Sequence, residues 1–123
     1  MKTVLVVEDD ENNMELITFI LNANGYQFIT AYTGQEGIDL AIEKKPDFII
    51  LDIQLPDMYG LEVLQSIRAS KINGNIPVIA MTSFAMSGDR EKMLSAGCNG
   101  YIEKPIDPEK VMGQIQQILE EIS

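Results

Sequence analysis

The chain has 123 residues, 46% hydrophobic and 23% charged, the make-up of one globular domain able to bury a core without disulfides or structural metals. Its 19 acidic against 9 basic residues give a net charge of −10, which opposes non-specific contact with nucleic acid or an anionic membrane and makes a cation the natural ligand. The single cysteine, Cys98, excludes an intrachain disulfide, and the absence of histidine excludes His-based triads, the common zinc sites and self-contained phosphohistidine chemistry.

Met1-Lys2-Thr3 leads directly into an apolar run, Val4-Leu5-Val6-Val7, that reads as a buried strand ending at Glu8-Asp9-Asp10-Glu11. No signal peptide is expected there, and no run approaches the ~20 apolar residues of a membrane span, so the expected location is the cytoplasm. From residue 11 to 24, Met14, Leu16, Ile17, Ile20 and Leu21 recur at helical spacing, with Asp9 or Asp10 as cap and Gly25 as stop. Residues 26 to 32 form a short strand. Thr33-Gly34 opens a second helix with Ile38, Ala41 and Ile42 facing inward, and Lys44-Lys45-Pro46 ends it.

The next stretch, Phe48-Ile49-Ile50-Leu51-Asp52, is four large apolar residues halted by a carboxylate, followed by a loop marked by Pro56 and Gly60. Asp57 in that loop reads as a turn residue. Leu61, Leu64 and Ile67 mark a third helix to about Ala69, and Ser70 to Asn75, with its Asn-Gly-Asn, a surface turn. Pro77-Val78-Ile79-Ala80-Met81 is a fourth strand ending at Thr82-Ser83. Ser87 or Asp89 caps a fourth helix that runs to Ala96 and is stopped by Gly97. Gly100-Tyr101-Ile102-Glu103 is the last strand, ending at Lys104-Pro105, and Val111, Ile115, Ile118, Leu119 and Ile122 stripe a final helix.

Strands alternating with helices at this spacing predict one α/β domain, residues 1 to 123, with a doubly wound five-stranded parallel sheet. In such a sheet the residues just past each strand converge on one edge, where ligands bind. Glu8-Asp9, Asp52, Thr82-Ser83 and Lys104 then share a crevice. Carboxylates crowded this way repel one another unless a cation lies between them, and oxygen donors without His or Cys favour Mg²⁺. Mg²⁺, a lysine and a hydroxyl around an aspartate suit phosphoryl transfer to that aspartate. Asp52, alone at the end of its strand, is the expected nucleophile; the adjacent Glu8 and Asp9 are better suited to gripping the ion.

Val7-Glu8-Asp9, Leu51-Asp52-Ile53-Gln54-Leu55-Pro56 with Gly60, Met81-Thr82 and Tyr101-Ile102-Glu103-Lys104-Pro105 together resemble the response-regulator receiver domains (CheY-like) of two-component signalling, over the whole chain. Asp52-Ile53-Gln54-Leu55-Pro56 and Ser83-Phe84-Ala85-Met86-Ser87-Gly88-Asp89 are similar to single-domain cell-division-type regulators, and to receiver domains of hybrid kinases.

The resemblance implies the flavodoxin-like strand order 2-1-3-4-5. It implies a phosphoacceptor at Asp52 charged from the phosphohistidine of a sensor histidine kinase or histidine phosphotransfer protein. Mg²⁺ would be held by Asp9, Asp52, the backbone carbonyl of Gln54, and Glu8 directly or through water. Thr82 and Lys104 would bind phosphoryl oxygens, Tyr101 would follow Thr82 inward, and Lys104-Pro105 would be cis. The output would be a downstream protein reading the face of helix four, strand five and helix five, from a monomer or weak dimer, with no nucleic acid or membrane partner. Phe84 and Met86 either pack inward or belong to that docking surface. Glu8 stands where the family often has Asp, and Gln54 and Phe84 where it tunes phosphate lifetime. A magnesium-dependent phosphatase of the haloacid-dehalogenase type would need a second aspartate where Gln54 stands, a receiver serving only as a binding module would not need the intact acidic pair, Asp52, Thr82 and Lys104, and a flavin-binding relative would need a phosphate-cradling Gly-rich turn after the first strand, which the sequence lacks.

Overall fold

The structure is a computed structural model describing residues 2–71, 74–82 and 89–122. Its elements follow in strict alternation: β1 (Thr3–Val7), α1 (Glu11–Ala23), β2 (Gln27–Ala31), α2 (Gly34–Lys44), β3 (Phe48–Asp52), α3 (Gly60–Ala69), β4 (Val78–Thr82), α4 (Asp89–Ser95), β5 (Gly100–Glu103) and α5 (Val111–Ile122). The five strands form one sheet in the order β2-β1-β3-β4-β5, every pair parallel. No helix among the described residues is long and apolar enough to cross a membrane.

Side chains alternate across a strand, so a strand covered on both faces must be apolar at every position. The sheet divides its residues on that rule. Val4, Val6, Phe48, Ile50, Ile79 and Met81 pack with Met14, Ile17 and Leu21 of α1 and Val111 and Ile115 of α5. Leu5, Val7, Ile49, Leu51, Val78 and Ala80 pack on the other face with Ala41 of α2, Val63, Leu64 and Ile67 of α3 and Met93 of α4. Two cores therefore clamp one sheet.

Helix boundaries follow the caps. Asp10 accepts a hydrogen bond from Asn13 N at 3.0 Å to start α1, which gives way at Asn24 to Gly25, whose φ of +86° only glycine adopts readily. Three apolar stripes differ from expectation. Along α2 the buried residues are Gly34, Gly37 and Ala41, while Ile38 and Ile42 are half-buried. Small residues let this helix sit close: a Cβ on Gly37 would come within 2.8 Å of Val7 Cγ2. Along α5 burial fades from Val111, Met112 and Ile115 to Ile122, which is 43% exposed. In α3, Val63 is buried and Leu61 only half-buried. Ser83, Phe84, Met86 and the expected cap Ser87 lie outside the described residues.

Cys98 is a free, buried thiol against the carbonyls of Val78 and Gly100, and burial pushes its pKa up, as befits a small core residue.

At the amino edge of the sheet Arg68, in the last turn of α3, gathers polar groups from three segments. Its Nη1 donates to the carbonyls of Gly74 and Ile76 at 3.0 and 2.6 Å, and its Nη2 to the Gly97 carbonyl and Asn99 Oδ1 at 2.7 and 2.9 Å. Asn99 in turn bonds both backbone groups of Val78. One guanidinium thus ties the end of α3 to the approach to β4 and the α4–β5 turn.

Candidate functional site

The strand register sets the site. Val7 pairs with Leu51, which puts Glu8 level with Asp52; Asp52 pairs with Met81, and Met81 with Ile102. By alternation Glu8 and Asp52 project on the face of Val6 and Ile50, side by side. Carboxylate oxygens of Glu8, Asp9 and Asp52 all lie within 4.8 Å of one another. Lys104, one residue past β5, reaches back into them, with its Nζ 2.5 Å from Glu8 Oε1 and 3.3 Å from Asp52 Oδ2. Its own N–H donates to the Thr82 carbonyl at 2.8 Å, and the Lys104-Pro105 bond is cis. Of the groups expected to converge, Glu8, Asp9, Asp52 and Lys104 come together, Thr82 touches the set through its backbone carbonyl, and Ser83 lies outside the described residues.

Their burial differs and so does their electrostatics. Glu8 and Asp52 are 5% and 7% exposed, whereas Asp9 faces solvent. Burial and the neighbouring Asp52 carboxylate raise the Glu8 pKa, against the pull of Lys104. At Lys104 burial opposes the charge, but the Glu8 hydrogen bond and the Asp52 and Glu8 charges together outweigh it and raise the pKa. Three carboxylates face one ammonium, so uncompensated negative charge remains. All the donors are hard oxygens, and a divalent cation such as Mg²⁺ fits them.

An open cleft of about 610 Å³ lies above the cluster, walled by Asp9, Asp52, Gln54 and Lys104 and by the loop that follows β3. That loop is closed on itself. Gln54 bridges Tyr59 in antiparallel fashion, Gly60 N donates to the Ile53 carbonyl, and Gln54 N donates to Asp52 Oδ1 at 3.3 Å. The closure requires glycine at position 60, where an added Cβ would stand 2.7 Å from the Asp52 carbonyl oxygen and 2.8 Å from Ile53 Cα. Backbone cannot swing aside as a side-chain tip can, so Gly60→Ala is expected to lower stability by about 1–3 kcal/mol, read as a drop in the urea midpoint at unchanged slope.

Thr82 ends β4, 1% exposed. It pairs with Glu103, while Tyr101 pairs with Ala80, so Thr82 and Tyr101 are diagonal neighbours on the face that α4 covers. Tyr101 is half-buried against that core. The expected switch pair therefore shares one side of the sheet, opposite to Glu8 and Asp52.

Asp57 is the residue whose role sequence reasoning missed. Its Oδ1 accepts from Gly34 N at 2.7 Å and its Oδ2 from Gln35 N at 3.0 Å. Those two backbone donors hold its carboxyl below the usual carboxylate range. With Thr33 Oγ1 accepting from Glu36 N and the Thr33 carbonyl from Gly37 N, all four leading N–H groups of α2 are satisfied. The signal in the sequence was indirect: the Thr33–Glu36 capping box leaves the first two donors of α2 without a local partner.

Three comparisons bear on this arrangement. The profile of the response regulator receiver domain matches residues 4–116. The polar-differentiation response regulators DivK of Brucella ovis and Brucella suis are each 44% identical to the chain over 118 residues, covering 96% of both partners. Among solved structures, a CheY-like receiver domain protein from Methanospirillum hungatei JF-1 superposes with a TM-score of 0.89 at 30% identity, covering 98% of this chain and 95% of that one. The receiver domain of sensor histidine kinase PA1611 from Pseudomonas aeruginosa PAO1, which has a magnesium ion coordinated in its active site cleft, superposes with a TM-score of 0.87 at 31% identity, covering 97% and 98%.

Proposed function

The chain belongs to the response regulator receiver domain family of two-component signalling, and from that membership we propose that Asp52 is its phosphoacceptor. The observation that carries the reading is the clustering of Glu8, Asp9 and Asp52 within 4.8 Å, with the Lys104 ammonium 3.3 Å from Asp52, at the carboxyl edge of the sheet. An Asp52 carboxylate oxygen attacks the phosphorus of a phosphohistidine on a sensor histidine kinase or histidine phosphotransfer partner. The P–N bond breaks, its electron pair stays on the imidazole, and an acyl phosphate forms on Asp52.

Asp9, Asp52, the Gln54 carbonyl and Glu8, directly or through water, would hold Mg²⁺, which when bound would supply charge neutralisation to the phosphoryl oxygens. Lys104, already drawn to Asp52, pairs with a second phosphoryl oxygen once the charge arrives, and the Thr82 hydroxyl donates to a third. Tyr101, on the same face as Thr82, carries that movement to the α4–β5–α5 surface, where a downstream protein reads it. The chain works in the cytoplasm, as a monomer or weak dimer, and its product is a changed contact surface rather than a released molecule.

The test is incubation with acetyl phosphate and Mg²⁺, followed by intact mass measurement. One alkali-labile phosphoryl group is expected, and chelating the Mg²⁺ is expected to slow its addition by at least about 100-fold. No adduct under any condition would favour a binding module, and sustained turnover of unrelated phosphoesters a phosphatase.

A further inference from the structure

The ligands proposed for Mg²⁺ come from the end of β1, from Asp52 at the end of β3 and from Gln54 in the loop beyond it. The pairing of β1 with β3 sets Glu8 beside Asp52, but the position of Gln54 has to be held by something other than the sheet or the ion. The β1 piece is indirectly gripped by α2, because Gly37 lies directly on Val7, the residue before Glu8. The loop piece reaches the same helix by two contacts. Asp57 takes the Gly34 and Gln35 N–H groups at 2.7 and 3.0 Å, and Met58 packs so closely on Gly34 that a Cβ there would be 2.4 Å from Met58 Cγ. Since residues 53 to 60 are already stitched together by the Gln54–Tyr59 bridge and the Gly60-to-Ile53 hydrogen bond, a hold on Asp57 is passed through the loop to the backbone at Gln54.

We infer that Asp57 is a positioning residue for the metal site: its two hydrogen bonds to α2 set the Gln54 carbonyl at the right distance from Glu8 and Asp9, without Asp57 touching the ion. This rests on the Mg²⁺ reading above and adds a part to it. Outer-shell groups that orient ligands typically change metal affinity by ~10–100-fold when removed. Because the clamp acts through one intermediate residue, the lower end is expected here.

The test is calorimetric titration of Mg²⁺ alone into the metal-free protein and three variants, with the urea midpoint of each measured alongside. Asp57→Ala is expected to weaken Mg²⁺ about tenfold. Asp57→Asn, which keeps one acceptor but loses the charge, is expected to fall between it and wild type. Thr33→Ala removes a cap from the same helix without releasing the loop, and is expected to lower the urea midpoint yet leave Mg²⁺ affinity within about twofold. Wild-type affinity in Asp57→Ala overturns the inference. So does equal weakening by Asn and Ala, which would make the effect one of charge alone, or equal weakening by Thr33→Ala, which would make it one of helix stability. If wild type itself takes up no Mg²⁺, the metal reading falls and this inference with it, a result distinguishable from the others at the first titration.

Discussion

Asp52→Asn is expected to leave no detectable phosphoryl adduct after incubation with acetyl phosphate and Mg²⁺, a loss of at least about 1,000-fold. The substitution preserves shape, so Lys104 and the loop hydrogen bond at Gln54 keep their partner position, but an amide lacks the anionic oxygen that attacks phosphorus. Its effect on stability should run the other way. Asp52 sits with two other carboxylates and is 7% exposed, and its neighbour Glu8 already has a raised pKa because of burial and Asp52 itself. Removing one negative charge relieves that repulsion, so in chelator the variant is expected to melt no lower than wild type. A wild-type level of adduct on the variant would move the phosphoacceptor elsewhere, with Asp9 the first residue to examine by peptide mapping.

Arg68→Met is expected to lower stability by about 2–4 kcal/mol while leaving phosphoryl incorporation on the folded fraction unchanged. Methionine replaces the aliphatic stem but none of the donors, so the carbonyls of Gly74, Ile76 and Gly97 and the Asn99 side chain each lose a charged partner. These groups lie at the opposite edge of the sheet from Asp52. A shift of the urea midpoint with normal labelling is the expected pattern; equal loss of labelling would mean the two edges are coupled.

The contrast between the two edges shows what the sequence could and could not reveal. Strand ends at Asp52, Thr82 and Glu103 were legible because a buried parallel strand must be apolar throughout and stops where a polar residue begins. The convergence of Glu8, Asp9, Asp52 and Lys104 followed from the rule that all parallel strands finish on one side. The strand order 2-1-3-4-5 came only from resemblance, because hydrophobic pattern carries no information about which neighbours pair. Asp57 and Arg68 were illegible for a related reason. A carboxylate in a Pro- and Gly-rich loop and a guanidinium at a helix end are the commonest of surface residues, and their partners, Gly34 and Gly97, are backbone groups with no side-chain signature. Glycines 34 and 37 misled the helix reading in the same way: periodicity registers large apolar residues and is blind to close approach.

The ion pair between Glu8 and Lys104 joins residues separated by 96 positions, and on the proposed chemistry this gives the site a place in the life of the molecule. Protein synthesis delivers Asp52 long before Lys104, and β4 and β5 arrive later than the strand they complete. The acceptor proposed at Asp52 is thus made before the ammonium and the hydroxyl proposed to hold its phosphoryl group, and only a sheet closed through β5 brings Lys104 beside Glu8 and Asp52. On that chemistry the competence to hold a phosphoryl group is a property of the finished fold and not of the aspartate alone.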